Sequence, residues 1–521
     1  MKEGTYLQTL LNRPLAMTPE KVAIRFYGRA LSYKELDSQS RKLASGFLDQ
    51  GVSAGDRVAW FLPNCPEAVM AMFACYRIGA TAVPLNYRYL AEEARDVLDR
   101  THAKLLIFHN ERLEVVDSLM ERSNPLPAFV VNRGQTPNAY PLIDELFSHG
   151  PLSQTANVPS HHPALILFTS GSTGRPKGVV HSHHSAFSAI DISRRIFDFT
   201  DQDVVLVGKP ISHAGGLQTQ LMPTLLVGGE VVLTMKPSPS SAVSQICQHA
   251  VTQYAMLASD LFDFIEYLEA HPTNLPTLEN CMGSGDSVPT ELHHRFRDIF
   301  GWEVMEGCGM TEVSTYYAAN PRYGNRKWGS LGLVSPDTRI CILGHEEGFL
   351  PVGEVGEIAI QTPSATIGYL DDPTASGELL LDGWLHTGDL GYIDEQNYVW
   401  FVGRKKLIIV RRGSNIAPME VENLIDEHHL VHASVVVGVP DKQDGQVPVA
   451  WVMPRSPSEV PSERDLDEYV STRLASYKNP VRYFFLNKFP LTSTGKFDRH
   501  QLEEMAVSAI QGKQFPGHGN H

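Results

Sequence analysis

Hydrophobic and polar positions along this chain change period repeatedly, from helical faces to short apolar runs of strand length. Over residues 32–50, Leu36, Leu43, Ala44, Phe47 and Leu48 fall on one helical face, and Gly51 stands where a glycine ends a helix. Val58-Ala59-Trp60-Phe61-Leu62 then reads as a buried strand, Pro66–Ile78 as a helix, and Ala80-Thr81-Ala82-Val83-Pro84 as the next strand. The alternation continues through apolar runs at 105–108, 164–168, 204–207 and 231–233. That rhythm predicts mostly parallel α/β sheets with ligands at the strand C-terminal ends. After about residue 325 glycine and short strands dominate, and Gly353-Glu354-Val355-Gly356-Glu357-Ile358-Ala359-Ile360 reads as antiparallel β structure. Past Gly403-Arg404-Lys405-Lys406 a smaller α+β unit follows, with a strand over 433–439 and a helix over 463–474. The main boundary falls at about residue 404.

Length supports this division, because 521 residues exceed one ordinary hydrophobic core. The net charge of −15 argues against nonspecific nucleic-acid binding and against adhesion to anionic membranes. Cys65, Cys75, Cys247, Cys281, Cys308 and Cys341 are scattered without a C-x-x-C pair, which suits neither a disulfide scaffold nor a zinc site. A reducing, cytoplasmic setting is the simplest expectation. No signal peptide and no membrane-span-length apolar run is visible, and residues 512–521 read as a disordered tail. The histidine clusters (His161-His162, His181/His183/His184, His293-His294, His428-His429) lack zinc spacing and read as solvated or capping residues.

Candidate chemistry begins at Thr169-Ser170-Gly171-Ser172-Thr173-Gly174-Arg175-Pro176-Lys177-Gly178, directly after the apolar run at 164–168. Glycines let backbone N–H groups approach an anion, hydroxyls add donors, and the lysine supplies a mobile positive charge. Such a loop suits a nucleotide triphosphate, although no Gly-Lys-Ser/Thr makes it a Walker loop. Further along come Glu306-Gly307-Cys308-Gly309-Met310-Thr311-Glu312, Thr387-Gly388-Asp389-Leu390, the basic hinge Gly403-Arg404-Lys405-Lys406 and Thr494-Gly495-Lys496. Each alone is weak; their order and spacing are not.

Together these motifs resemble the adenylate-forming superfamily of acyl-CoA synthetases, adenylation domains and luciferases, over roughly residues 6–502. The resemblance implies an α/β fold: a large N-terminal domain (1–403) with two α/β sheets and a distorted β-barrel, a hinge (404–407), and a small mobile α+β lid domain (408–511). It also implies the reaction, in which a carboxylic acid attacks the α-phosphate of ATP, acyl-AMP forms, and a thiol, usually of coenzyme A, takes the acyl group. Thr169, Ser170, Gly171, Ser172, Thr173, Gly174 and Lys177 match the loop that holds the β- and γ-phosphates. Glu312 matches the Mg²⁺ ligand, Thr311 the hydroxyl near the α-phosphate, and Asp389 with Arg404 the ribose contacts. Gly307, Cys308, Gly309 and Met310, on a tight backbone, are candidate nucleotide-binding residues by the same resemblance. Ser284, Gly285 and Asp286 match the adenine wall, with Asp286 either accepting from the adenine amino group or solvated. Lys496 matches the catalytic lysine, its alternative role being electrostatic recruitment of ATP. Lys406 matches the hinge position and Gly413 the glycine of the pantetheine tunnel, while Arg411, Arg412, Lys478 and Arg482 either meet the CoA phosphates or are ordinary solvated surface.

The pattern departs from the family at three points. Cys308 stands where relatives carry an aromatic residue stacked on adenine, Asp286 where many carry alanine, and Leu407 where an acidic residue is common. The segment Lys209-Pro210-Ile211-Ser212-His213-Ala214-Gly215-Gly216-Leu217 resembles the acyl-pocket motif of CoA ligases. It shows no obvious partner for an α-ammonium group, which points to a simple fatty or aryl acid. Gly215 and Gly216 either leave room for an acyl chain or form a turn, and His213 is either a base or a packed gate. The functional readings are an acyl-CoA ligase, a standalone activating enzyme that loads a carrier protein or feeds amide formation, and a ligand-binding protein that has lost catalysis. Dimers are common among such proteins, and a homodimer is an expectation here.

Overall fold

A computed structural model describes residues 7–120, 126–131, 140–169, 176–285, 288–344, 348–412, 414–492 and 496–510. Ser170, Gly171, Ser172, Thr173, Gly174, Asp286, Gly413 and the expected tail at 512–521 lie outside the described residues. The chain forms two compact units, one of residues 1–339 with 360–385 and the other of residues 340–359 with 386–521. The expected boundary at 404 therefore falls inside the second unit.

Two sheets dominate the first unit. The seven-stranded one has the order Gly368–Tyr369, Lys177–Ser182, Pro163–Thr169, Thr81–Pro84, Arg57–Phe61, Leu105–His109, Ala128–Val131. Its pairings are parallel from Pro163–Thr169 onward, whereas the pairs made by Lys177–Ser182 are antiparallel. The six-stranded sheet has the order Asn280–Ser284, Gln253–Leu257, Val204–Val207, Glu230–Leu233, Val22–Phe26, Arg29–Ser32, parallel except for the last hairpin. The parallel strands are buried on both faces, which is why they read as continuous apolar runs.

Local sequence explains the helices. Tyr33–Asp49 starts in a capping box, with the Ser32 hydroxyl accepting from the Glu35 N–H and the Glu35 carboxylate accepting from the Ser32 N–H. It ends before Gly51, whose φ of 78° suits glycine. The helix over Pro66–Ile78 begins with proline in its first turn, ends at left-handed Gly79, and is buried on every face. The stretch after His213, open in the sequence between room for an acyl chain and a turn, is helical from Ala214 to Val227, with a π-helical segment over Leu217–Leu221. Gly216 permits close packing: a Cβ there would lie 2.5 Å from the Pro210 carbonyl oxygen and 2.6 Å from that of Lys209. Its missing side chain accommodates backbone.

In the second unit, Trp384–Ile393 pairs antiparallel with Tyr398–Arg404. Beyond them, Val431–Asp441 and Gly445–Pro454 form a long hairpin joined by Ile409–Arg411, Ser414–Ile416 and Tyr483–Phe485. The helices Pro418–Asp426 and Glu463–Ser471 cover its core, the latter ending three residues short of the sequence-based expectation. Glu422 is buried, accepts the Val436 N–H at 2.6 Å, and forms a two-pronged ion pair with Arg499.

Asp426, at the end of its helix, has an Oδ1 atom screened from solvent and without a hydrogen-bond partner among the described residues. Burial pushes its carboxyl up to about 8. A folded-state value above that of the unfolded chain favours the protonated form, so stability is present at low pH and lost as pH rises toward 8. Asp426→Asn removes that linkage. Its stability gain over the parent protein is expected to grow between pH 5 and pH 8, reaching roughly 2–4 kcal/mol. Denaturant melts at several pH values check this; a pH-independent difference contradicts it.

Candidate active site

The two feet of the glycine-rich loop are fixed in the first unit. Thr169 and Lys177 are antiparallel neighbours, and the Thr169 hydroxyl donates to the Lys177 carbonyl at 3.4 Å. Arg100 lies over the Phe168 ring and donates to the Pro176 carbonyl at 2.6 Å. The loop therefore springs from a rigid base.

Lys177 places its ammonium 4.6 Å from the centre of the Tyr369 ring. The Tyr369 hydroxyl donates to Glu312 Oε1 at 2.8 Å. Burial, followed by the neighbouring Glu312 charge, raises the phenol above its ordinary range, so it remains a donor. Backbone ties reinforce the arrangement. The Thr366 N–H donates to the Glu312 carbonyl at 2.7 Å, the Thr366 hydroxyl donates to the Val180 carbonyl at 2.6 Å, and Tyr369 pairs with Val179. A cation and a carboxylate far apart in sequence thus meet at one aromatic ring.

Thr311 is held from behind. His181 Nε2 lies 2.8 Å from the Thr311 carbonyl, which can only accept, so Nε2 carries the proton. Burial pushes His181 down to about 4, and the ring is neutral at physiological pH. The expectation of solvated or capping histidines fails here, and it also fails at His183 and His293, because all three are fully enclosed. A histidine interior to two packed layers can be useful as a one-proton donor to backbone.

The strand Gly307–Met310 pairs antiparallel with Thr315–Ala319, with an irregularity between Cys308 and Gly309. A Cβ on Gly309 would lie 2.4 Å from the Thr315 carbonyl oxygen, so this hairpin requires glycine there. The thiol of Cys308 is half-buried and accepts from the Tyr317 hydroxyl at 3.0 Å. An adjacent buried carboxylate organises the region. Glu306 accepts from the Val288 N–H at 3.0 Å and the Gly329 N–H at 3.2 Å, and it pairs with His293 Nε2 at 2.8 Å. The His293 ring stacks on Trp328.

Ser284 ends the strand Asn280–Ser284 and donates to the Met256 carbonyl at 3.1 Å; Gly285 follows with φ 95°. Lys209 donates to the Ser284 hydroxyl, which joins the acyl-pocket motif to the adenine-wall motif. Asn64 braces the turn around Lys209, donating to its carbonyl at 2.9 Å and accepting from the Ile211 N–H at 2.8 Å. Burial and then the charge of Arg88 push His213 down to about 4, leaving it a neutral imidazole.

In the second unit Asp389 is directly opposite Arg404, with Nε 3.1 Å from Oδ1. Thr387 shapes this turn, donating to the Ile358 carbonyl at 2.6 Å and accepting from the Asp389 N–H at 3.0 Å. Glu357 accepts from the Gly388 N–H and pairs with Lys405 at 3.2 Å and His386 at 3.5 Å. Burial pushes the Glu357 carboxyl upward, but Lys405 and His386 outweigh that and hold it below the usual carboxylate range. Lys496 is exposed, and its backbone N–H donates to the Thr492 hydroxyl at 3.2 Å. The four CoA-phosphate candidates already face acids: Arg411 and Arg412 pair with Asp444, Lys478 with Glu420, and Arg482 with Glu463.

Tyr369, His181, Arg100, Glu306 and Glu357 were not singled out as site residues from the sequence. Glu306 adjoins its motif in sequence, whereas Tyr369, His181, Arg100 and Glu357 reach theirs only through the fold.

Comparison with known proteins agrees with this picture. Residues 11–370 match the AMP-binding enzyme family, and residues 420–496 match the AMP-binding enzyme C-terminal domain. Feruloyl-CoA synthase of Amycolatopsis sp is 34% identical, with 93% of this chain and 96% of that protein aligned. The long-chain-fatty-acid–CoA ligase of Bacillus subtilis is 30% identical, over 96% of this chain and 94% of that protein. The ATP-bound crystal structure of MatB from Rhodopseudomonas palustris superposes with a TM-score of 0.89 at 25% identity, covering 96% of this chain and 99% of that one. The chain belongs to the AMP-binding enzyme family. Among the described residues no helix is long and apolar enough to cross a membrane.

Tyr369→Phe keeps the ring beneath Lys177 and removes the bond to the Glu312 carboxylate. A hydrogen bond to a charged group is worth about 1.5–3 kcal/mol. ATP binding in the presence of Mg²⁺, measured by calorimetric titration, is expected to weaken by about tenfold, with the melting temperature little changed. Unaltered affinity contradicts the role given to this contact.

Proposed function

We propose that this protein activates a carboxylic acid with ATP and transfers the acyl group to coenzyme A, acting as an AMP-forming acid–thiol ligase on fatty or aryl acids. The observation that carries this reading is the meeting of Lys177 and Glu312 at the Tyr369 ring, beside the feet of the glycine-rich loop. Two anions, a carboxylate and a triphosphate, have to approach each other, and prearranged donors and cations offset their repulsion.

Thr169, Ser170, Gly171, Ser172, Thr173, Gly174 and Lys177 hold the β- and γ-phosphates in this reading. Asp389 accepts from the ribose hydroxyls, with Arg404 beside it. Ser284, Gly285 and Asp286 border adenine, together with Gly307, Cys308, Gly309 and Met310. Glu312 fits Mg²⁺, since its carboxylate is held by the Tyr369 hydroxyl at one oxygen and Mg²⁺ commonly takes one or two carboxylates plus phosphate and water oxygens. When bound, the metal neutralises phosphate charge. Thr311 donates its hydroxyl toward the α-phosphate. Lys496 stabilises the charge that develops as the acid carboxylate bonds to the α-phosphorus and pyrophosphate leaves. The thiol of CoA then attacks the acyl carbon and AMP departs. His213 and the opening at Gly215 border the acid, and Gly413 admits the pantetheine arm. Residues 404–407 serve as the hinge between domains 1–403 and 408–511, removing Lys496 after adenylation. Six free cysteines suit a reducing compartment.

Pyrophosphate exchange with a panel of short, medium and long fatty acids, aryl acids and amino acids tests the first step, and thioester formation with CoA or a carrier protein tests the second. Exchange without transfer to CoA would replace the ligase by a carrier-loading or amide-forming enzyme. Lys496→Ala is expected to lower kcat for exchange by about a hundredfold with KM for ATP little changed. A large rise in KM at constant kcat would instead assign Lys496 to recruitment of ATP.

A further inference from the structure

Lys209 is 7% exposed, and its ammonium donates to the Ser284 hydroxyl. That hydroxyl spends its own proton on the Met256 carbonyl. No acidic side chain among the described residues pairs with Lys209. An interior ammonium with one neutral hydroxyl for company is costly, because three donors and a charge have left water. Proteins keep such groups where a ligand completes them.

The surroundings indicate which ligand. The turn that carries Lys209 is locked by Asn64, which donates to the carbonyls of Lys209 and Thr234 and accepts from the Ile211 N–H. The lysine stem then passes Gly215. A Cβ placed on Gly215 would have Lys209 Cδ, at 3.7 Å, as its one neighbour within 4 Å apart from the adjoining chain. The lysine stem is therefore loosely packed on its Gly215 side, in the segment that the acid-activating reading places beside the acid. Three residues after Gly215, Gln218 is fully buried with both amide atoms unpartnered among the described residues. This segment therefore buries two polar side chains that a purely hydrocarbon environment would not call for.

We infer that Lys209 is a specificity residue: the acid carries, besides the carboxylate that is activated, a second anionic oxygen group that pairs with the Lys209 ammonium. Dicarboxylic and sulfo-carboxylic acids have this chemistry. The inference rests on the acid-activating reading above. Ser284 holds the ammonium in place before the acid arrives, which lowers the entropy lost on binding.

Pyrophosphate exchange on matched pairs decides it: hexanoate with adipate, octanoate with suberate, and benzoate with each benzenedicarboxylate. The expected result is a kcat/KM preference for the diacid of roughly tenfold or more in at least one pair. Lys209→Met should abolish that preference and Lys209→Arg should retain most of it, with KM for ATP unchanged in both. A preference for the monoacid in every pair overturns the inference while leaving acid activation intact. So does a Lys209→Met variant that keeps the diacid preference, or one that alters KM for ATP equally with every acid. The pair ratios of the parent protein stand even if the methionine variant fails to fold. Exchange with no acid at all would defeat acid activation itself, and this inference with it.

Discussion

One phenol ring sets the geometry of the residues proposed to meet the nucleotide. Tyr369 presents its face to the Lys177 ammonium and its hydroxyl to the Glu312 carboxylate. Both charges thus share one aromatic partner, the cation at its face and the carboxylate at its hydroxyl. Attraction of the cation to the aromatic face and a charge-assisted hydrogen bond at the edge are both strengthened where water is excluded. The ring is itself positioned by backbone, because Gly368–Tyr369 is an edge strand on Lys177–Ser182.

The same device recurs elsewhere in the molecule: a group that does chemistry is held by a group that does none. His181 is neutral because it is enclosed, and its single proton fixes the Thr311 carbonyl. Glu306 joins the hairpin at Gly307–Met310 to Val288, Gly329 and His293. Glu357 ties the Gly388 turn to Lys405. Glu306 and Glu357 are each satisfied by several donors, the condition under which an enclosed charge gives definition rather than instability. Lys209 has a hydroxyl and no acid among the described residues.

Much of the site was legible in the sequence because its motifs are local. A glycine that must admit a neighbouring carbonyl, as Gly309 does, is a requirement of a few consecutive residues. The strands at 57–61 and 163–169 and the helices at 33–49 and 66–78 were legible for a similar reason: burial on both faces gives unbroken apolar runs, and caps mark helix ends. The helix over Ala214–Val227 was not, since paired glycines signal a turn and only packing against the carbonyls of Lys209 and Pro210 makes Gly216 favourable in a helix. The histidines misled because a ring's burial depends on which layers close over it. The basic residues assigned to CoA were read as charges alone, whereas Asp444, Glu420 and Glu463 face them in space.

By itself the sequence determined the alternation of strands and helices, the family and the polar groups proposed for a nucleotide, since these follow from spacing along one chain. The tertiary structure decided which distant side chains serve those groups: Tyr369 for Glu312, His181 for Thr311, Ser284 for Lys209. Such pairings span 57, 130 and 75 residues. No local propensity reaches that far; sheet register and the exclusion of water bring those partners into contact.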